Sequence, residues 1–166
     1  MVASMNRWKR IIIHHSASDF GTGPMIDAWH KTRGWSGIGY HYVILNGIVT
    51  LDDYRHDRRF GFLNGSVETG RPLDGDGWVD ANEIGAHALG YNKDSIGICL
   101  IHNTGIYTPA QNSTISSMCI ELADLFGIPT ENILGHCEVD SKKPLCPGVD
   151  MAALRKAVRR YRTVAI

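Results

Sequence analysis

Two short apolar runs constrain the fold of this chain more than any other feature. Residues 10–14 read RIIIH and residues 94–101 read DSIGICLI. Short apolar runs rich in branched residues are typical of buried β-strands, and the second run has the character of a central strand covered on both faces. The first run ends in a polar segment, so the sequence predicts a strand that delivers His14 to the edge of a sheet.

Helical segments alternate with these strands. Gly23-Pro24 opens one predicted helix, and Thr108 begins a capping-box pattern that predicts a second helix, ending at Gly127. Residues 133–134 form a last short strand, and Asp150 can cap a closing helix. This alternation predicts an α/β fold in which helices flank a central mixed β-sheet. At 166 residues the chain is expected to form a single domain, residues 1–166.

The middle of the chain contains a turn signal, followed by a segment in which apolar residues show neither helical nor strand spacing. Asn46-Gly47 lies between residues 39–45 and residues 48–51, both rich in aromatic and branched side chains, and therefore predicts a β-hairpin. Residues 55–83 are polar and glycine-rich, so a long surface loop near the functional site is expected there.

Charge and hydropathy exclude several classes of partner. The 17 lysines and arginines balance the 17 aspartates and glutamates, so no uniform field favours nucleic acid, and no apolar stretch is long enough for membrane insertion. The first residues lack the apolar run of a secretory signal, so synthesis in the cytoplasm without a signal peptide is expected. The four cysteines are expected to be reduced thiols, and the protein a monomer.

Two histidines and a cysteine are candidate metal ligands. His14 or His15 ends the first strand, His136 follows the last one, and Cys146 lies in the proline-flanked loop PLCPG. A catalytic zinc site uses three such ligands and leaves the fourth tetrahedral position to water. Each residue alone gives weak support for a metal site. The chain has eight histidines, and most of them are expected to lie at the surface or to make ordinary hydrogen bonds.

Five motifs in a fixed order give the candidate metal ligands a more specific interpretation. HHSAS, GWSGIGYHYVI, GAHALGYNKDSIGICL, TPAQ, and GHCEV followed by CPG occur in the order found in type-2 N-acetylmuramoyl-L-alanine amidases, which include phage amidases and peptidoglycan recognition proteins. The chain resembles this family over about residues 10–154. The resemblance implies zinc-dependent hydrolysis of the amide between N-acetylmuramic acid and L-alanine in bacterial peptidoglycan. It also implies a phage endolysin that acts on the cell wall after release.

The resemblance assigns roles to individual residues. His14, His136 and Cys146 match the family's ligands for one Zn²⁺ ion, while His15 falls where a non-ligand lies. Tyr40 matches the tyrosine beside the metal-bound water, where it could hydrogen-bond the water or the tetrahedral intermediate.

Other positions match the family less closely. His87 and Asn92 match positions near the substrate groove. Phage amidases of this type commonly carry a lysine two residues before the zinc cysteine, but here that residue is Pro144. Lys143 is the candidate for the same catalytic role, and the alternatives are Lys142 or no lysine at all. The acid that protonates the leaving nitrogen stays open between Tyr40, Lys143 and a zinc-bound water.

Two other functions are compatible with these motifs. A non-catalytic peptidoglycan-binding module would have the same fold, although such relatives typically lose the metal cysteine and Cys146 is present. A cytoplasmic amidase for cell-wall recycling would use the same chemistry and would also lack an export signal.

Overall fold

A computed structural model describes residues 7–71, 79–80, 82–103 and 106–164. The strands are β1 Arg10–His15, β2 Tyr42–Ile44, β3 Val67–Thr69, β4 Ser95–Leu100 and β5 Ile133–Gly135. The helices are α1 Gly23–Thr32, α2 Leu51–Arg55, α3 Pro109–Phe126, α4 His136–Val139 and α5 Met151–Val164, with a 3₁₀ turn at Thr130–Asn132. Among the described residues, no helix has the length and apolar character needed to cross a bilayer.

The strands form one five-stranded sheet in the order β3-β2-β4-β1-β5. Strands β2, β4, β1 and β5 run parallel, and β3 pairs antiparallel with β2 at one edge. The predicted central strand β4 does lie in the middle of the sheet. The predicted α/β fold with a central mixed sheet is therefore confirmed.

Helices cover both faces of this sheet. One face, which includes Ile11 and Ile13 of β1, packs with buried side chains of α3 and α5. The opposite face, which includes Val43 of β2, packs against Ile26 of α1. Side chains alternate between the two faces along a strand, so alternate residues of β1 belong to different layers. All four cysteines of the chain are free thiols.

Helix boundaries follow the predicted capping signals. The Thr108 hydroxyl accepts a hydrogen bond from the backbone N–H of Gln111, and the Gln111 side chain accepts one from Thr108, so both members of the capping box are formed. Gly127 ends α3 with a φ of 63°, a left-handed conformation that glycine adopts without strain. The carboxylate of Asp150 accepts a hydrogen bond from Ala153 at the start of α5.

The predicted hairpin at Asn46-Gly47 is wrong. The side chain of Asn46 accepts a hydrogen bond from the backbone N–H of Ile48, which makes a local turn. Thr50 and Asp53 then form a capping box and begin helix α2 in place of the expected second strand. The turn signal was correct, but the capping box redirects the chain into a helix.

The antiparallel partner of β2 comes from the segment predicted to be a loop. Val67–Thr69 pairs with Tyr42–Ile44, in a register that places Val43 opposite Glu68. A strand of three residues is too short to show alternating apolar and polar residues in the sequence. The loop prediction for residues 55–83 is therefore wrong at this strand. Residues 72–78 and 81 of that segment lie outside the described residues.

Candidate metal centre

His14 enters the site from the end of β1. Ile11 and Ile13 face the α3 and α5 layer, so His14, one residue further along, lies on the opposite face. It is 1% exposed. In the sheet register it is paired with Cys99 of β4, which is fully buried. His14 is therefore held near the end of an interior strand of the sheet.

His136 is brought beside His14 by the pairing of β5 with β1. That pairing places Gly135 next to Ile13, so His136, the first residue of α4, follows next to the end of β1. The start of α4 is held by Glu138, whose carboxylate accepts a hydrogen bond from the Gly135 N–H at 2.7 Å. Arg155 of α5 forms an ion pair with Glu138 at 3.0 Å. Helix α5 thus helps to hold the second histidine in place.

Cys146 reaches the same point from the loop after α4. The backbone N–H of Cys137 donates a hydrogen bond to the carbonyl of Cys146 at 2.7 Å, which ties the loop back to α4. The backbone N–H of His15 approaches the Cys146 sulfur at 3.4 Å. These two contacts place the thiol directly beside the end of β1.

The three side chains converge on one point. One donor atom from each of His14, His136 and Cys146 lies within 4.8 Å of the others. The Nδ1 atoms of the two histidines are 3.1 Å apart. Two nitrogens bound to a tetrahedral Zn²⁺ at about 2.0–2.1 Å would be roughly 3.3 Å apart, so this donor set fits a zinc ion. His15 is turned away, because its Nδ1 faces the backbone N–H of Ala17.

Burial sets the protonation of these groups in the metal-free protein. It lowers the pKa of His14 and His136, so both imidazoles are neutral at pH 7 and each has a lone pair available. Burial raises the pKa of the Cys146 thiol to about 11. Since the thiolate is the form that binds metals, binding of a cation here would release the thiol proton.

Tyr40 lies beside His14, with ring centroids 5.1 Å apart. Burial of its hydroxyl raises its pKa well above the usual range, and the neighbouring thiols of Cys99 and Cys146 act in the same direction. Tyr40 is therefore a neutral phenol at physiological pH. Such a group can donate a proton to a hydrogen bond next to the three converging side chains.

Lys143 is the predicted lysine that comes close to the cluster. A turn joins it to Cys146, whose backbone N–H donates to the Lys143 carbonyl at 3.0 Å. Burial is the largest influence on the pKa of both His136 and Cys146. The positive charge of Lys143 adds to the lowering of the His136 pKa and opposes the raising of the Cys146 pKa. The ammonium group is thus close enough to act on the site electrostatically. Lys142 is exposed, and its backbone N–H donates a hydrogen bond to the Asp140 carboxylate at 2.9 Å.

His87 and Asn92, the two predicted substrate contacts, are buried and half-buried. His87 is 7% exposed, and its Nδ1 and Nε2 face His14 and the Ser95 carbonyl at 3.0 and 3.3 Å. Both ring nitrogens thus have partners inside the protein, and a substrate contact for His87 stays a prediction. The Asn92 side-chain oxygen accepts hydrogen bonds from the backbone of His87 and Ala88, both at 2.8 Å. A substrate contact for Asn92 stays a prediction.

Asp140 belongs to the surroundings of the cluster and was not predicted from the sequence. Its carboxylate lies 4.0 Å from His136 Nε2, the ring nitrogen that does not face His14. A carboxylate at this position favours a proton on Nε2 and leaves Nδ1 free. The signal was the spacing of four residues between His136 and Asp140, which brings two side chains together on one helical turn.

The fold and this cluster define an α/β protein with a candidate metal centre of two imidazoles and one thiol on one face of a mixed sheet. The chain belongs to the N-acetylmuramoyl-L-alanine amidase family, whose model matches residues 4–149. The resemblance drawn from the sequence motifs is confirmed.

Individual relatives agree with this membership. The endolysin of Klebsiella phage KP32 is 30% identical over 153 residues, which are 86% of this chain and 82% of the relative. The endolysin of Enterobacteria phage K11 is 31% identical over 133 residues, 76% of this chain and 69% of the relative. The solved structure of the N-acetylmuramoyl-L-alanine amidase LysC from Clostridium intestinale URNW is similar, with a TM-score of 0.69 at 26% identity, covering 93% of this chain and 88% of that one.

A neighbouring histidine, His41, gives the fold a dependence on pH. Its ring is buried, its Nδ1 accepts a hydrogen bond from the Gly97 N–H at 2.9 Å, and its Nε2 faces the Glu83 carbonyl at 2.6 Å. Backbone groups thus satisfy the neutral ring with its proton on Nε2. Burial lowers the pKa of His41 to about 4.

Acid should therefore destabilise the metal-free protein. Between the unfolded pKa of about 6.5 and the folded pKa, the unfolded chain binds a proton at this histidine and the folded chain does not, so the free energy of unfolding falls as pH falls. This lowering of the His41 pKa corresponds to a loss of roughly 3 kcal/mol in the free energy of unfolding. Urea denaturation of wild type and His41→Asn at pH 7, 6, 5 and 4 measures it. Equal pH slopes for the two proteins would contradict this assignment.

Proposed function

We propose that this protein hydrolyses the amide bond between N-acetylmuramic acid and L-alanine in bacterial peptidoglycan with one bound Zn²⁺ ion. The observation that carries the proposal is the convergence of His14, His136 and Cys146 in a chain of the amidase family. Since its relatives include phage endolysins, we propose a lytic role on the cell wall after release, with the protein acting as a monomer.

The proposed ligand set suits hydrolysis. Two neutral imidazoles and one thiolate leave one tetrahedral position open, whereas a structural zinc site is closed by four protein ligands. Zinc bound there would lower the pKa of a coordinated water to about 7 and polarise the scissile carbonyl. An amide requires both effects, because it is a poor electrophile with a poor leaving group.

The residues around the ligands supply the remaining interactions. Tyr40 keeps its proton at neutral pH and lies beside His14, so it can donate a hydrogen bond to the oxygen on which negative charge develops. The ammonium of Lys143 adds a positive charge on the exposed side of the cluster. Both groups would favour the charged transition state over the neutral amide.

Mass spectrometry of digested peptidoglycan tests the proposal. Purified protein containing zinc should release stem peptides with a free L-alanine amino terminus and leave the glycan strands intact. A chelator should stop the release, and added zinc should restore it. Binding of peptidoglycan without any cleavage by the zinc-loaded protein would contradict the proposal and favour a binding module.

The two adjacent lysines allow a matched comparison. Lys143→Ala should lower kcat on the order of tenfold, less than loss of a buried donor, because an exposed charge is partly screened by solvent and salt. Lys142→Ala should leave kcat close to wild type. Zinc content should be unchanged in both variants. Equal kcat values for the two variants, measured on soluble peptidoglycan fragments, would remove Lys143 from the proposed catalytic set.

A further inference from the structure

His14 has a polar partner on each of its two ring nitrogens. Nδ1 faces His136 Nδ1 at 3.1 Å, within the proposed metal cluster, and Nε2 faces His87 Nδ1 at 3.0 Å. The two nitrogens of an imidazole point in different directions. One of them can therefore bind a cation while the other makes a hydrogen bond within the protein.

The partners of His87 decide where the protons lie. A neutral imidazole that binds metal through Nδ1 carries its proton on Nε2, so His14 must donate to His87 Nδ1. His87 then carries its own proton on Nε2, where the Ser95 carbonyl can accept it at 3.3 Å. The opposite arrangement would place the lone pair of His87 Nε2 against that carbonyl. The Ser95 hydroxyl, 3.4 Å away, instead donates to the Tyr91 carbonyl at 2.7 Å.

The position of the His87 ring is built into the fold. A Cβ atom at Gly97 of β4 would lie 2.5 Å from His87 Cγ, so the ring packs directly against a strand that has no side chain there. The Asn92 carboxamide holds the backbone of His87 and Ala88 through two hydrogen bonds of 2.8 Å. The ring therefore meets His14 in one orientation.

We propose that His87 is a positioning residue, which accepts the Nε2 proton of His14 and thereby presents the His14 Nδ1 lone pair to the metal. It acts on the metal through its hydrogen bond with His14. This inference rests on the proposed metal centre. Hydrogen-bond partners of metal-binding histidines fix the tautomer and orientation of the ring, and their loss typically weakens metal affinity about 10–100-fold.

Zinc affinity, measured by competition with a chromophoric chelator, tests this role. His87→Ala removes the acceptor and should weaken zinc binding about 10–100-fold. His87→Asn offers a carboxamide oxygen near the position of Nδ1 and should regain most of that loss. His30→Ala is a matched control, because His30 is also buried but packs on Trp35 and Tyr40. It should bind zinc like wild type.

Three results of this titration would overturn the proposal. These are unchanged zinc affinity in His87→Ala, no recovery in His87→Asn, and an equal loss in His30→Ala. The proposed hydrolysis is not measured in this experiment. The order of zinc affinities therefore supports or rejects the role of His87 whether or not the protein cleaves peptidoglycan.

A second measurement uses only wild-type protein and does not depend on a variant folding correctly. Long-range ¹H–¹⁵N NMR spectra of the zinc-loaded protein at neutral pH should show His14 and His87 both protonated on Nε2, because the zinc ion occupies the space between the two Nδ1 atoms that lie 3.1 Å apart. A proton on Nδ1 of His14 would overturn the proposal directly. This readout does not require cleavage of peptidoglycan, so failure of the proposed hydrolysis and failure of the hydrogen-bond chain can be told apart.

Discussion

Replacing Cys146 by serine should remove zinc binding and amidase activity together. The thiolate is one of only three proposed protein ligands, and a serine hydroxyl is a far weaker ligand for zinc. His14→Ala should have the same effect. Because the metal supplies both the nucleophile and the polarisation of the carbonyl, activity should fall at least about a thousandfold. Metal analysis by mass spectrometry and release of L-alanine amino termini from peptidoglycan measure the two losses.

Cys137 provides the matched control for this variant. It is adjacent to His136 and half-buried, yet it is not part of the group of converging donor atoms. Cys137→Ser should therefore keep one zinc per chain and most of the activity. Full activity in Cys146→Ser, or loss of zinc in Cys137→Ser, would show that the ligand set is wrong.

Tyr40→Phe should keep the zinc ion but lower kcat by about a hundredfold, the usual effect of removing one hydrogen-bond donor to a developing oxyanion. The variant removes only the hydroxyl, and the aromatic ring remains packed beside His14. Zinc content and the affinity for uncleaved peptidoglycan should be unchanged. Steady-state kinetics on soluble muramoyl-peptides, together with metal analysis, separate these quantities.

Tyr161→Phe is a suitable control, because Tyr161 is 57% exposed on α5 and should have wild-type kinetics when changed. If Tyr40→Phe lost its zinc, Tyr40 would be part of the support for the ligands. If instead kcat were unchanged, the donor to the oxyanion would have to be another group, and Lys143 would be the next candidate to test.

The site depends on a sheet that joins distant parts of the chain. His14 and His136 are 122 residues apart, and their ring nitrogens meet because β5 pairs with β1. Four parallel strands with helices on both faces place these residues in a rigid layer, where a ligand set can be held without a large loss of conformational entropy on binding. Catalysis by preorganised groups requires such rigidity.

Local patterns predicted most of the secondary structure, because the sequence carries them within a few residues. The apolar run before His14 predicted β1, and the Thr108 capping box predicted the start of α3. The hairpin at Asn46-Gly47 failed because a turn signal does not specify whether a strand or a helix comes after the turn. Strand β3 was missed because it has three residues and is defined by its pairing with β2.

By itself, the sequence determined the α/β fold, the family and the three residues proposed as metal ligands, since each of these is carried by motifs or by short-range periodicity. The tertiary structure alone decided that the His15 ring turns toward the backbone of Ala17, and that His87 hydrogen-bonds to His14 across 73 positions of the chain. The direction of a side chain toward a distant partner depends on strand register and on packing between layers. Neither is encoded in the residues next to it.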